Sequence, residues 1–302
     1  MENKENIIVT GGSGLVGKHL NKILPNAIYL SSQDYNLMNM NEIDSMMKNY
    51  NPKIVIHLAA KVGGILDNIN YPVDYIEQNL IMNGNLLKKC HEYNVDRVIA
   101  ILSTCIYPDK ASKYPMIEKD LFNGPPADTN FSYALSKRAM AVHIESYVKQ
   151  YNKKWCYLIP CNLYGEHDKF EHHHSHFVSA LIKKIYEANN SIELLGSGKP
   201  LRQFMYADDL ANIIKYFIDN KINENVNVAP DYTYSIDEIA RIGIKSCGKE
   251  NLNIIYKNHK LDGQYRKDVD SSKLLNILGD FNFTPLEKGI KKVYDNFSKR
   301  YN

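Results

Sequence analysis

Short apolar runs alternate with longer stretches whose apolar residues recur at helical spacing through the first half of the chain. The runs at 7–10, 27–30, 54–58, 98–103 and 155–160 are apolar at nearly every position, which predicts strands buried on both faces. Charged, periodic segments at 18–24, 42–49, 73–93 and 134–150 lie between them and predict helices. Fully apolar strands joined by helices imply an α/β fold, a doubly wound parallel sheet whose ligands gather at the carboxyl ends of the strands. Beyond about Leu163 the rhythm breaks into a loop rich in His, Gly and Pro. Helices predicted at 176–188, 208–220, 236–246 and 286–300 then mix with short strands.

The first run leads directly into Gly11-Gly12-Ser13-Gly14-Leu15-Val16-Gly17. Gly11, Gly14 and Gly17 allow a tight turn, a close approach to a pyrophosphate, and packing of a helix on the strand. Leu15 and Val16 open that helix, whose N-terminal N–H groups and partial positive charge suit phosphates. The order strand, glycine loop, helix predicts a dinucleotide-binding Rossmann unit over 1–165, with returning segments at about 204–235. Residues 166–302 are expected to build mainly a smaller, discontinuous lobe that closes over the substrate. The spacing Gly11-x-x-Gly14-x-x-Gly17 resembles extended short-chain dehydrogenases.

An acidic residue at the end of the second strand would bond a ribose 2′-hydroxyl and repel a 2′-phosphate. Here the strand ends in Leu30-Ser31-Ser32-Gln33, with no acid before Asp34. Hydroxyls such as that of Ser32 can receive a phosphate, so NADP(H) is the expected cofactor. Leu58, Ala59 and Ala60 close the next run and leave room for the cofactor to lie flat.

Ser103 stands at the predicted end of the fourth strand, and Tyr133-x-x-x-Lys137 follows after a Pro-rich loop. A tyrosine can exchange a proton with an oxygen while a hydride moves to or from the adjacent carbon. A lysine one helical turn later shares its face, and its charge is expected to lower the phenol's pKa. Ser103 would hydrogen-bond the same substrate oxygen.

Composition narrows the setting. With 44% hydrophobic and 24% charged residues among 302, the chain reads as an ordinary soluble globular protein. A formal net charge of +3 argues against nucleic-acid or membrane-surface binding. No apolar run approaches the ~20 residues of a membrane span. The polar opening MENKEN is not a secretory signal. Five cysteines without a CxxC pair suggest free thiols and a cytoplasmic location. His167, His172, His173, His174 and His176 cluster, but consecutive histidines splay apart, so no metal site is expected.

Several longer stretches carry a more specific likeness. Leu102-Ser103-Thr104-Cys105-Ile106-Tyr107-Pro108, Asn162-Leu163-Tyr164-Gly165-x-His167-Asp168 and His57-Leu58-Ala59-Ala60-x-Val62-Gly63-Gly64 resemble the GDP-L-fucose synthase family. So do Ser175-His176 and Gly196-Ser197-Gly198-x-Pro200-x-Arg202-Gln203-Phe204, and Asn79 with Asn85 resembles a further family element. The resemblance implies NADPH-dependent 3,5-epimerisation and 4-reduction of a GDP-linked 4-keto-6-deoxy sugar. It implies Ser103, Tyr133 and Lys137 as the reductase set, Cys105 as the epimerisation base and His176 as the acid facing it. Asn162, Lys184, Arg202 and Lys267 match the substrate-binding positions, and a homodimer is common among relatives. A C4 reductase of hexoses or heptoses without epimerase activity is the alternative, and a silent NADP-sensing regulator is a rival of another class. Glu166, where the family often has Pro, and Glu171-His172-His173-His174 depart from the pattern.

Overall fold

The computed structural model of the chain describes residues 6–170, 176–257 and 263–301. Strand β1 (Ile7–Thr10) pairs in parallel with β2 (Ile28–Leu30) on one side and β3 (Ile54–His57) on the other. The sheet continues through β4 (Arg97–Ile101) and β5 (Cys156–Pro160) to a last strand, Val226–Val228, which returns from far along the chain. All six strands are parallel, as a Rossmann sheet requires. Ile8, Val55, Ile99 and Leu158, from four neighbouring strands, are fully buried, and each such side chain contributes about 1.5–3 kcal/mol by leaving water.

Helices α1 (Leu15–Ile23), α2 (Met40–Tyr50), α3 (Ile65–Asn70), α4 (Pro72–Glu92) and α5 (Phe131–Tyr151) connect these strands. After β5 comes the short β6 (Asn162–Tyr164), parallel to Phe204–Tyr206, and then α6 (Phe177–Glu187) and α7 (Ala207–Asp219). α7 packs on α1, whereas α6, Ile236–Ser246 and Leu286–Tyr301 gather around a second apolar core that includes Val178, Leu181, Ile239 and Ile290. The helix Ile236–Ser246 starts where the sequence places it because of a capping box. Ser235 Oγ accepts from the Glu238 N–H at 3.1 Å, and the Glu238 carboxylate accepts from the Ser235 N–H at 2.7 Å. Among the described residues no helix is long and apolar enough to cross a membrane.

The boundaries differ from expectation at three places that matter to the site. β4 ends at Ile101, so Ser103 lies beyond the sheet. It remains extended (φ −164°, ψ 148°) and caps a short 3-10 turn, Thr104–Ile106. The helix carrying Tyr133 starts earlier, at Phe131, which places Tyr133 in its first turn. α3 went unpredicted because Gly63 and Gly64 suggest a loop, whereas the Asn68 side chain holds the turn by donating to both their carbonyls, at 3.1 and 2.9 Å.

Candidate active site

The glycine loop closes on the end of β3. Gly11 has φ +72°, and a Cβ there would lie 2.7 Å from the Ala59 nitrogen, so a glycine is required twice over. A Cβ at Gly17 would sit 2.4 Å from the Gly12 carbonyl oxygen, which lets α1 ride on the loop. Gly12 was not singled out in the sequence, yet its N–H donates to the Leu30 carbonyl at 2.8 Å and ties the loop to β2. Gly14 is the N-cap of α1, with Leu15 and Val16 half-buried behind it. Leu58, Ala59 and Ala60 form a half-buried ledge beside the loop. This narrow, Cβ-free cradle at a helix N-terminus fits a dinucleotide pyrophosphate.

At the end of β2, Ser32 is exposed. Asp34 turns back, and its Oδ2 accepts from both the N–H and the hydroxyl of Ser31, each at 2.7 Å. These bonds hold the Asp34 carboxyl below its ordinary pKa.

Lys137 is buried, and its ammonium donates to the Ile101 carbonyl at 2.9 Å, which fixes α5 against the end of β4. Burial pushes its pKa down to about 7. Tyr133 stands one turn earlier, its ring edge-on to the buried Tyr75 with centroids 6.3 Å apart. The expected lowering of the Tyr133 pKa by Lys137 is not what the structure gives. Burial, with the charges of Cys105 and Tyr75, raises it well above that of a free phenol, and only the Ser103 hydrogen bond acts downward. Burial is the largest cause, and the same burial also disfavours the charged form of Lys137.

Cys105 follows in the 3-10 turn, its N–H donating to Ser103 Oγ at 3.3 Å. The Lys267 ammonium lies 3.5 Å from Cys105 Sγ and 3.4 Å from Asn162 Oδ1. Burial would raise the thiol's pKa, but the Lys267 charge, the Ser103 hydroxyl and the Arg202 charge together bring it below the ordinary value. The other four cysteines are buried, and burial pushes each of their thiols upward.

Asn162 is oriented by its own donation to the Gln203 carbonyl at 2.8 Å. Arg202 donates to the Leu201 and Tyr265 carbonyls at 2.8 and 3.4 Å. Gln203, which carried no role in the sequence reading, stitches the Lys267 segment into place. Its amide donates to the carbonyls of Pro230 and Val269, and its oxygen accepts from the Val269 N–H at 2.9 Å.

His176 is the N-cap of α6, about half exposed (47%), with Nδ1 3.0 Å from Asp168 Oδ1. That hydrogen bond raises its pKa against the effect of burial, helped by the charges of Asp168 and Cys105. Lys184 stands apart from these residues, donating to the Glu193 carbonyl at 2.7 Å. Asn79 is buried and braces the Lys61 backbone, while Asn85 donates to the Leu37 and Met38 carbonyls. Glu171, His172, His173, His174 and Ser175 lie outside the described residues.

Comparison with known proteins places these features in company. The family model described as the NAD dependent epimerase/dehydratase family matches residues 7–229. A GDP-L-fucose synthase of Dictyostelium discoideum is 36% identical, with 99% of this chain and 97% of that protein covered. Among solved structures, a GDP-L-fucose synthetase from Naegleria fowleri bound to NADP is 33% identical with a TM-score of 0.89, over 100% of this chain and 95% of that one. A GDP-6-OMe-4-keto-L-xylo-heptose reductase from C. jejuni has a TM-score of 0.90 at 25% identity, covering 100% and 99% of the two chains.

Proposed function

The chain belongs to the NAD dependent epimerase/dehydratase family, and we propose that it converts GDP-4-keto-6-deoxy-D-mannose to GDP-L-fucose by 3,5-epimerisation and NADPH-dependent 4-reduction. The observation that carries this reading is the Lys267–Cys105 contact of 3.5 Å. A reductase that only moves a hydride needs no activated thiol, whereas epimerisation next to a ketone needs a base.

The residues divide the work. Cys105, as the thiolate favoured by Lys267, removes the hydrogen beside the ketone, whose carbonyl makes that hydrogen acidic. His176, protonated through its bond to Asp168, returns a proton to the opposite face and inverts the centre. NADPH supplies the hydride to C4 when bound in the Gly11–Gly17 cradle. Tyr133 would give its proton to the C4 oxygen, which Ser103 would also bond, and Lys137 holds Tyr133's helix against the end of β4 on the cofactor's side of the site. A phenol kept protonated by burial is suited to the donor role in this direction. Arg202, Asn162 and Lys267 line the side where the GDP-sugar enters, and Arg202's planar fork suits a diphosphate.

The heptose reductase likeness keeps simple C4 reduction as a second reading, but at 25% identity it is the more distant of the matches above. We divide the chain into a cofactor unit, 1–165 with the segment about 204–235, and a sugar lobe made mainly of 166–302, in keeping with the two separate apolar cores. We also take the enzyme to be a cytoplasmic homodimer, with the exposed Leu80, Ile81, Val142 and Val148 of α4 and α5 as its seam. The deciding experiment is incubation with GDP-4-keto-6-deoxymannose and NADPH in D₂O, followed by NMR of the product. GDP-L-fucose carrying deuterium at C3 and C5 supports the reading. A reduced sugar with neither deuteron makes the enzyme a 4-reductase.

A further inference from the structure

We propose that Asp168 is the positioning residue of His176: its carboxylate fixes which ring nitrogen meets the sugar and keeps the imidazole loaded with a proton. The inference rests on the epimerase reading above. Both carboxylate oxygens of Asp168 face His176 Nδ1, at 3.0 and 3.1 Å. Its side chain is 5% exposed, although the histidine is half in solvent. Ser179 Oγ donates to Oδ2 at 2.5 Å and the Lys169 N–H to Oδ1 at 2.9 Å, so the acceptor is held from two further directions. With Nδ1–H committed to the carboxylate, Nε2 is the nitrogen left for the substrate.

The turn that carries Asp168 packs closely on the cofactor helix. The Asp168 N–H donates to the Gly165 carbonyl at 3.2 Å. Glu166, two residues before Asp168, has its Oε2 3.3 Å from Nε2 of the fully buried His19 in α1, while its Oε1 accepts from the Tyr206 hydroxyl at 2.5 Å. His19 Nδ1 is bonded in turn to Asp208 of α7. A Cβ on Gly165 would stand 2.7 Å from His19 Nε2, so the close approach of the turn to α1 needs that glycine. The departure Glu166 thus has a physical role. It packs against α1, and its bond to Tyr206 holds the turn whose last residue grips the acid.

In the proton step, the N–H bond at Nε2 breaks and a C–H bond forms at the sugar carbon, leaving a neutral imidazole that water reprotonates. Among the described residues, the charged groups acting on His176 are Asp168 and Lys169 of the turn before α6 and Cys105 of the 3-10 turn after β4. Removing the Asp168 charge therefore disfavours the protonated ring, and the loss of acid with rising pH begins earlier.

The test uses the full chain with Asp168→Asn and Ser179→Ala. Deuterium uptake at C3 and C5 of GDP-4-keto-6-deoxymannose is followed against pH, alongside ¹³C NMR titration of labelled histidine, with His176→Asn assigning the resonance. For Asp168→Asn we expect uptake near neutral pH to fall about 10-fold and its alkaline limb to move down by about one pH unit, with NADPH affinity unchanged. The His176 resonance should titrate lower in parallel. Ser179→Ala should shift both in the same direction by less. A uniform loss at all pH values, with limb and resonance unmoved, overturns the proposal. If Asp168→Asn does not fold, an unmoved limb and resonance in Ser179→Ala overturn it equally. A wild-type enzyme that takes up no deuterium sinks the epimerase reading alone. The histidine titration then still decides whether Asp168 sets the state of His176.

Discussion

The Lys267 ammonium lies 3.5 Å from the sulfur of Cys105, although 162 residues separate them in the chain. Their meeting favours the thiolate over the neutral thiol. The matched sequence position suggested a contact to GDP-sugar for Lys267; the fold gives it a thiol to activate as well.

Replacing Lys267 by Met should raise the Cys105 pKa, because burial would then act with less opposition. The alkylation rate by iodoacetamide, followed against pH, reports the thiolate directly. Wild-type enzyme should label at Cys105 first, since the other cysteines are buried with raised pKa values. In Lys267→Met the midpoint should move upward by about one pH unit or more. An unchanged midpoint would mean that Lys267 does not stabilise the thiolate.

Tyr133→Phe removes the phenol hydroxyl without disturbing the ring packing on Tyr75. Turnover of the ketone should fall ~10²-fold or more, while deuterium exchange at C3 and C5 persists. Near-normal reduction by the purified variant would falsify the role given to Tyr133.

The cofactor preference should favour NADPH over NADH. Ser31 and Ser32 close β2 with hydroxyls, and the carboxylate of Asp34 is drawn back onto Ser31 at 2.7 Å. Comparison of kcat/KM for the two cofactors tests this. A ratio at or below unity would show that the 2′-phosphate gains nothing here.

His57 predicts how stability depends on pH. It is fully buried between Thr10 and Asn83, and burial first, then the Lys137 charge, lowers its pKa to about 4. Its folded pKa is thus below the unfolded value, so between these pH values the unfolded chain binds the extra proton. Stability is lost as pH falls from about 6.5 toward 4, and this residue alone should cost on the order of 2 kcal/mol between about pH 7.5 and 5. Urea unfolding of wild type and His57→Gln at both pH values isolates the term. Equal losses in the two proteins would remove His57 from the account.

Local pattern was enough for much of the fold. Apolar runs such as that of Ile54–His57, too short for a helix and set between helical stretches, read as central parallel strands buried on both faces. Gly11 and Gly17 were legible because a residue with no Cβ is itself the signal of a close approach. Tyr133 and Lys137 could be read as a pair because one turn of helix fixes their spacing locally. What the sequence could not decide were the meetings between distant segments and the charges they create. Lys267 reaches Cys105 because Gln203 and Met116 hold the extended segment around Val269 from two sides. Asp168 was visible as part of a motif, but its grip on His176 is built on a turn that packs against His19, far earlier in the chain. The pKa of Tyr133 went opposite to expectation for the same reason. Spacing along a helix tells which residues are neighbours, whereas burial and the partner that Lys137 finds at Ile101 exist only once the chain has folded.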